Sequence, residues 1–431
     1  MALSTQPYKG ARDFYPEDKR QQKYIFNKIR EVVERFGYEE YDAPILEPTD
    51  LYLAKGNQEI IDEQTYSFQD RGGRNVTIRT EMTPSVSRMV AAKRQELAYP
   101  LRWYSIPNLW RYERPQRGRS REFWQLNVDI FGVDGIEAEF EVIQITDQIF
   151  KAFGARPEAY EIKLSSRKLV TSLMGDYLSL NDDVAIRLIR LIDRMKKLER
   201  GEFIKKLDEI LPAEARAAGK TEKLLAVLEA KQLSDLPDEL RSNPSVTELE
   251  KLMALLSQAG VANAVFDITL MRGFDYYTDI VFEVFDTNPE NNRSMMGGGR
   301  YDGLVGQFGV APVATVGFGL GDATLANFLE ANRLLPELKT ETDVYIVLIG
   351  DVFEKAQAVV AELRKRGLNV AVDVSGRKIG DQFKTAEKKG ITYALMIGDK
   401  DLEAGKFNLK NLKTGDEQNA SVADLTKVVR G

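Results

Sequence analysis

Arg111–Gln125 reads RYERPQRGRSREFWQ, and its pattern decides what kind of sheet surrounds it. Arg111, Arg114, Arg117, Arg119 and Arg121 set five guanidinium groups within eleven residues. The Pro115-Gln116-Arg117-Gly118 interruption predicts a loop or hairpin tip between two strands. Guanidinium forks match phosphate oxygens and stack on flat rings. Phe123 and Trp124 follow at once and offer an apolar face for a base. A solvated basic turn is the bland alternative; so many Arg beside aromatics would make a costly one.

Working outward, RTEMTPSVSRMV (Arg79–Val90) follows an expected strand at Asn75–Arg79. If that strand continued, Glu81 and Thr83 would project to one side and hold an ammonium group. Thr83 before Pro84 reads equally well as a helix cap. Downstream, MRGFDYYTDIVFEV (Met271–Val284) presents Arg272, Asp275, Tyr276 and Tyr277 after a strand-like DITLM. Consecutive tyrosines on an extended segment face opposite ways, so one reaches a ligand while the other packs. GGGRYDGLVGQFG (Gly297–Gly309) lacks the spacing of the Walker and dinucleotide fingerprints, so its glycines predict close backbone approach. Together these stretches describe a β-sheet site for a phosphorylated nucleotide and a small zwitterion.

The 431 residues include no histidine and no cysteine. This excludes Ser-His-Asp triads, imidazole acid–base chemistry, disulfides and zinc held by thiolate or imidazole. Carboxylates, Arg, Lys, Tyr, backbone N–H groups and oxygen-held Mg²⁺ remain. The start, MALSTQPYKGARDFYPED, holds no apolar run of signal-peptide length, and no later run approaches ~18 apolar residues. The expectation is a cytoplasmic protein without a membrane segment. The net charge of −6 disfavours a general nucleic-acid coat but permits a local basic surface.

The pattern along the chain changes in successive stretches, and the fold class expected, with the resemblance given below, is α+β. Residues 1–165 are β-rich and aromatic. Residues 166–258 turn helical, with Val184, Leu188, Leu191, Met195 and Leu198 on one face, as in a helical insertion. Residues 259–331 return to Gly-punctuated β sequence. A polar linker with Pro336 then opens residues 332–431, where strands at Tyr345–Ile349, Leu368–Val372 and Tyr393–Ile397 alternate with helices at Val352–Arg366 and after Gly380. Glu337 to Gly431 carries 16 Lys and Arg against 15 Asp and Glu, a small shift that permits a nucleic-acid role.

KGARDFYPED, FGYEEYDAPILEP, RTEMTPS, WRYERPQRGRSREFWQ, MRGFDYYT and GGGRYDGLV, in this order, resemble histidyl-tRNA synthetase, a class II aminoacyl-tRNA synthetase family. DVSGRKIGDQFKTAEKKGI resembles the family's anticodon-binding domain. The resemblance implies an antiparallel β-sheet catalytic core flanked by helices, a helical insertion and a C-terminal α/β anticodon-binding domain. It implies catalytic core at 1–165 and 259–331, the insertion at 166–258 and the anticodon-binding domain at 332–431. FGYEEYDAPILEP resembles the dimerisation motif, so a homodimer is expected.

The implied reaction joins histidine and Mg-ATP into histidyl-adenylate, then passes the histidyl group to the 3′ end of tRNA(His). No zinc, haem or flavin is implied, and metal ligands stay unassigned. Carried over residue by residue, Arg111 and Arg272 would act at the α-phosphate. Glu113 and Phe123 would hold adenine, with Arg119 also toward ATP. Glu81, Met82, Thr83 and Gln125 would surround the α-amino group. Asp129 and Tyr277 would bond the two imidazole nitrogens beside Tyr276. Gln116 and Arg121 would meet the tRNA end. A carboxylate and a phenol match the one donor and one acceptor of a neutral imidazole, so the only imidazole needed is the substrate's.

The resemblance departs in three places. Gly319-Leu320-Gly321-Asp322-Ala323 stands where Gly-Leu-Glu-Arg is usual, so the arginine that grips the γ-phosphate is absent. Arg119, or an extra Mg²⁺ near Asp322, is the expected substitute. Position 129 is Asp where Glu is frequent, and Trp124 replaces His or Tyr. The missing arginine also favours a second reading, a catalytically silent relative acting as the histidine-sensing regulatory subunit of ATP phosphoribosyltransferase.

Overall fold

The computed structural model describes residues 3–53, 64–114, 118, 120–271, 277–291 and 293–430. The chain forms two compact units, one of Met1–Asp13 with Gln22–Leu335 and one of Phe14–Gln21 with Pro336–Gly431.

In the first unit the strands are β1 (Glu39–Glu40), β2 (Leu46–Pro48), β3 (Tyr66–Gln69), β4 (Asn75–Ile78), β5 (Leu101–Ser105), β6 (Asn108–Trp110), β7 (Glu122–Phe131), β8 (Tyr160–Ser166), β9 (Ala264–Phe266), β10 (Ile280–Asp286), β11 (Ser294–Arg300) and β12 (Thr315–Gly321). The main sheet runs β1-β5-β7-β12-β11-β10-β8-β9, with β6 also paired to β7; β2, β4 and β3 form a smaller sheet. The neighbours from β5 through to β8 are antiparallel, and only the two outer pairings, β1–β5 and β8–β9, are parallel. The arginine-rich stretch does join two antiparallel strands, with Leu109 opposite Phe123 and Trp110 opposite Glu122.

β7 sits centrally because its two faces differ. Leu126, Val128 and Ile130 are buried in the main core with Ile145, Ile149 and Phe150 of α3. Here α1 is Pro16–Arg35, α2 is Thr83–Lys93 and α3 is Glu137–Ala152. Each such fully buried aliphatic side chain contributes about 1.5–3 kcal/mol. The odd-numbered residues Phe123, Gln125, Asn127 and Asp129 take the opposite face, as the period of two demands.

Residues 166–258 contain α4 (Asp182–Ile192), α5 (Arg200–Ile210), α6 (Lys220–Leu228) and α7 (Pro244–Gln258). Their buried Leu188, Leu207, Leu224 and Leu249 belong to the same core as the sheet. The expected face from Val184 to Leu198 is divided: α4, capped by Asn181, stops at Ile192, and Met195 lies in a short 3-10 turn. DITLM is likewise not a strand. β9 ends at Phe266, and Asp267 Oδ1 accepts from the Thr269 amide at 3.0 Å, closing a turn that extended backbone cannot make. α8 (Asp322–Ala331) closes the unit.

The second unit has β13 (Val344–Leu348), β14 (Val370–Val372), β15 (Tyr393–Ile397), β16 (Phe407–Asn411) and β17 (Glu417–Ala420), with α9 (Phe353–Lys365), α10 (Ile379–Lys388) and α11 (Val422–Arg430). Its order is β14-β13-β15-β16-β17, parallel in the first three and antiparallel thereafter. This is the partly parallel sheet that the strand–helix alternation predicts. Among the described residues, no helix is long and apolar enough to cross a membrane.

Candidate active site

The odd face of β7 floors a cavity of about 440 Å³. It is lined from β7 by Phe123, Gln125, Asn127 and Asp129, and from around the hairpin by Arg111 and Glu113. Glu81, Thr83, Tyr277, Glu283, Tyr301 and the first turn of α8 complete much of its wall. The size suits a nucleotide with a small second ligand.

At the hairpin, Arg111 Cζ lies 5.2 Å from the Phe123 ring centroid, and its Nε donates to the Thr80 carbonyl at 3.0 Å. The guanidinium is thereby held over an aromatic face beside the cavity. Glu113 follows two residues later, past the end of β6. Gln125 Nε2 donates to Asn127 Oδ1 at 2.6 Å, and Asn127 Nδ2 returns a bond to the Gln125 carbonyl at 3.1 Å. Two amides are therefore pre-set by each other on one strand face.

Asp129 is the deepest polar group. Burial pushes its carboxyl up to about 7, against the hydrogen bond from Tyr301, which pulls it down. The Tyr301 hydroxyl donates to Asp129 Oδ1. Gly317, directly opposite Asp129 in the β12 register, makes this possible: a Cβ there would run into Asp129 Oδ1 and lie 3.0 Å from the Tyr301 hydroxyl. Gly298 answers the expectation for the triple glycine, since a Cβ there would lie 2.5 Å from the Gly317 carbonyl. Arg300 fixes the end of β11 next to Tyr301. It grips Glu139 with Nε and Nη2 at 2.7 Å each and donates to the carbonyls of Val133 and Gly135.

Several expected residues fall elsewhere. β4 ends at Ile78 and α2 begins at Thr83, so Glu81 and Thr83 reach the cavity from a strand–helix junction rather than a continuing strand. Thr83 is the first helical residue, and the cap position is Met82, which is fully buried and does not line the cavity. Arg79 is a structural residue: its buried guanidinium binds Asp42, Ala43 and Asn108. Arg121 does not line the cavity either; it lies over Tyr112 at 4.1 Å. Gln116, Arg119, Arg272 and Tyr276 lie outside the described residues.

Sequence reading missed Tyr301, Asn127 and Arg12. Asn127 was open to detection, since it continues the alternation Phe123, Gln125, Asp129. Arg12 was not: it donates from Nη2 to Asp322 Oδ2 at 2.7 Å, while Asp322 Oδ1 accepts the Trp124 amide at 3.0 Å. The cation found beside Asp322 is thus a side chain from the N-terminal segment. Among the described residues, no cluster of three or more acidic groups is arranged to hold a metal.

An antiparallel sheet with a nucleotide-sized polar cavity beside an arginine hairpin, followed by a small α/β unit, is the architecture of an aminoacyl-tRNA ligase. Residues 10–324 match the family model described as histidyl-tRNA synthetase, and residues 343–431 match an anticodon binding domain. A histidine–tRNA ligase of Leptospira biflexa is 40% identical over 99% of this chain and 98% of its own length. Among solved structures, histidyl-tRNA synthetase from Nostoc sp. PCC 7120 shares the fold, with TM-score 0.83 at 24% identity over 100% and 99% of the two chains. An ATP phosphoribosyltransferase regulatory subunit/histidyl-tRNA synthetase from Bacillus halodurans also shares it, with TM-score 0.75 at 24% identity over 92% and 99%. This chain belongs to the histidyl-tRNA synthetase family.

Proposed function

We propose that this chain activates L-histidine with Mg-ATP and transfers the histidyl group to the 3′ end of tRNA(His). The observation that carries the reading is the odd face of β7, which gathers an arginine over an aromatic ring at one end and a buried carboxylate–phenol pair at the other. One end suits a nucleotide phosphate and base; the other suits an imidazole.

In this reading the histidine carboxylate attacks the α-phosphate, an oxygen–phosphorus bond forms, and pyrophosphate leaves. Arg111, with Arg272, neutralises the charge that develops on phosphorus, which requires positioned cations rather than an imidazole base. Phe123 and Glu113 hold the adenine. Glu81, Thr83 and Gln125 receive the α-amino group. Ionised Asp129, held by the Tyr301 hydroxyl, accepts one ring N–H of histidine while the Tyr277 phenol serves the other nitrogen. Tyr276 beside Tyr277, and Arg119 toward ATP, keep the roles the resemblance implies. Gln116 and Arg121 serve the tRNA end, and residues 332–431 its anticodon. A cytoplasmic setting follows from this reaction. Ile45 and Leu46, 55% and 47% exposed at the start of β2, support the homodimer, since such apolar side chains seek a partner surface.

Histidine-dependent ATP–pyrophosphate exchange tests the enzyme reading directly. Exchange with histidine and with no other amino acid is expected. Well-folded protein that binds histidine without exchange would move the assignment to a histidine-sensing regulatory subunit, the reading that the Gly321-Asp322-Ala323 departure favours.

A further inference from the structure

β8 and β10 pair only as far as Ser166 and Ile280. There β8 turns into the short helix Arg167–Ser172, capped by the Ser166 hydroxyl, which accepts the Leu169 amide at 3.3 Å. The chain that enters β10, Tyr277-Thr278-Asp279, therefore lies beyond the last ladder pair on this side, with carbonyls that need donors. Arg167 supplies two. Its amide donates to the Asp279 carbonyl at 3.0 Å, and its Nη1 donates to the Tyr277 carbonyl at 2.8 Å. A guanidinium thus carries the hydrogen bonding of the sheet on to a tyrosine that lines the cavity.

The bonds around it fix the junction. Asp279, 6% exposed, accepts from the Ser166 hydroxyl at 3.0 Å and from the Lys168 ammonium. On the other side the Thr278 amide donates to the Arg300 carbonyl at 2.7 Å. The Tyr277 ring lies against β11, where a Cβ on Gly299 would stand 3.1 Å from its Cδ1, and its centroid is 6.5 Å from that of Tyr301. Tyr301 in turn donates to Asp129. Any shift of the Tyr277 backbone moves its phenol relative to Asp129, and a misplacement of about 1 Å is enough to spoil recognition of a buried ligand.

We propose that Arg167 is a positioning residue for histidine recognition. It holds the Tyr277 backbone so that the phenol and the Asp129 carboxylate stand at the two nitrogens of one imidazole. The helix that opens residues 166–258 therefore acts on the histidine pocket from outside its wall. The proposal rests on the reading of Tyr277 as a histidine contact.

The calorimetric Kd for histidine and the KM values in pyrophosphate exchange test it on the full chain. Arg167→Ala is expected to weaken histidine about tenfold in both, the worth of one charged hydrogen bond, with the KM for ATP changed less than about twofold. Arg167→Lys keeps a donor near the carbonyl and should recover most of the loss. Misfolded protein lowers kcat and the binding stoichiometry but leaves these constants alone. The decisive arm is a double-mutant cycle with Tyr277→Phe. If Arg167 acts through that phenol, Arg167→Ala should cost less than about twofold once the hydroxyl is gone. Losses that multiply would overturn the proposal, as would an unchanged histidine affinity or an equal rise in the KM for ATP. A parent protein that binds histidine without exchange would sink the ligase reading and leave the cycle to be read from Kd. A parent that binds no histidine would overturn both.

Discussion

Arg12 reaches Asp322 across the sheet, donating from Nη2 to Oδ2 at 2.7 Å, and so ties the N-terminal segment to the first turn of α8. Asp322 also accepts the Trp124 amide, so one carboxylate joins the N-terminal segment, β7 and α8. A guanidinium therefore stands against Asp322, in the stretch Gly319–Ala323 that carries no arginine of its own. Arg12→Ala is expected to raise the KM for ATP about tenfold in pyrophosphate exchange, the loss of one charge-assisted contact, with the KM for histidine little changed. A shift in histidine KM alone would argue against a role at the nucleotide end.

The buried Asp129 carboxyl, pushed up to about 7 by burial, must be ionised to accept an imidazole N–H. Lowering pH through 7 protonates it, so the KM for histidine should climb on the acid side. The substrate's own imidazole, ordinarily near 6.5, adds to the same limb. Asp129→Asn should raise KM by roughly 10–100-fold, the cost of one lost charge-assisted bond, and should flatten the part of the profile that belongs to the enzyme. The sign for stability is opposite. The carboxyl holds its proton more tightly folded than unfolded, so its contribution is full below about 4 and declines as pH rises toward 7. A KM that is flat between pH 6 and 8 in the parent would remove Asp129 from the recognition role.

Asp267 shows the reverse balance. Burial pushes its carboxyl up, but the Thr269 hydroxyl and the ammonium groups of Lys196 and Lys163 hold it at about 2. Lys196 comes from the helical stretch and Lys163 from β8, so this pairing fastens the insertion to the sheet. Its contribution is present above about 4 and lost as pH falls toward 2. About 2 kcal/mol is at stake. Urea unfolding at pH 7 should show Asp267→Asn destabilised by about that amount, with the difference closing near pH 2–3.

Arg300 and Glu139 form a pair with both side chains almost fully covered. Removing one partner strands the other charge, so Glu139→Ala should cost about 3–5 kcal/mol in urea unfolding. Because Arg300 precedes Tyr301, the gentler Arg300→Lys, which keeps the charge but loses the two-point grip, should raise the KM for histidine more than that for ATP. Equal effects on both substrates would make the pair a general support only.

Much of the nucleotide end was legible in the sequence. The Arg hairpin and the residues Phe123, Gln125 and Asp129 all belong to one continuous strand-and-turn stretch, where a period of two is enough to sort sides. The misreadings share a cause. DITLM looks like a strand by hydrophobicity, yet the Asp267 carboxylate accepts the Thr269 amide and turns the chain. The run from Val184 to Leu198 keeps helical spacing after the helix itself has stopped, because the packing surface continues past Ile192.

By itself, the sequence determined the alternation of β7, the hairpin that follows β6, the strand–helix alternation of the C-terminal unit and the exclusion of imidazole and thiolate chemistry. These are local properties, readable from neighbours a few positions apart. Only the tertiary structure decided that Tyr301 would meet Asp129 from 172 residues away, and Arg12 would meet Asp322 from 310. Such partners are chosen by strand register and by the room a glycine such as Gly317 leaves between strands. No spacing along the chain encodes either.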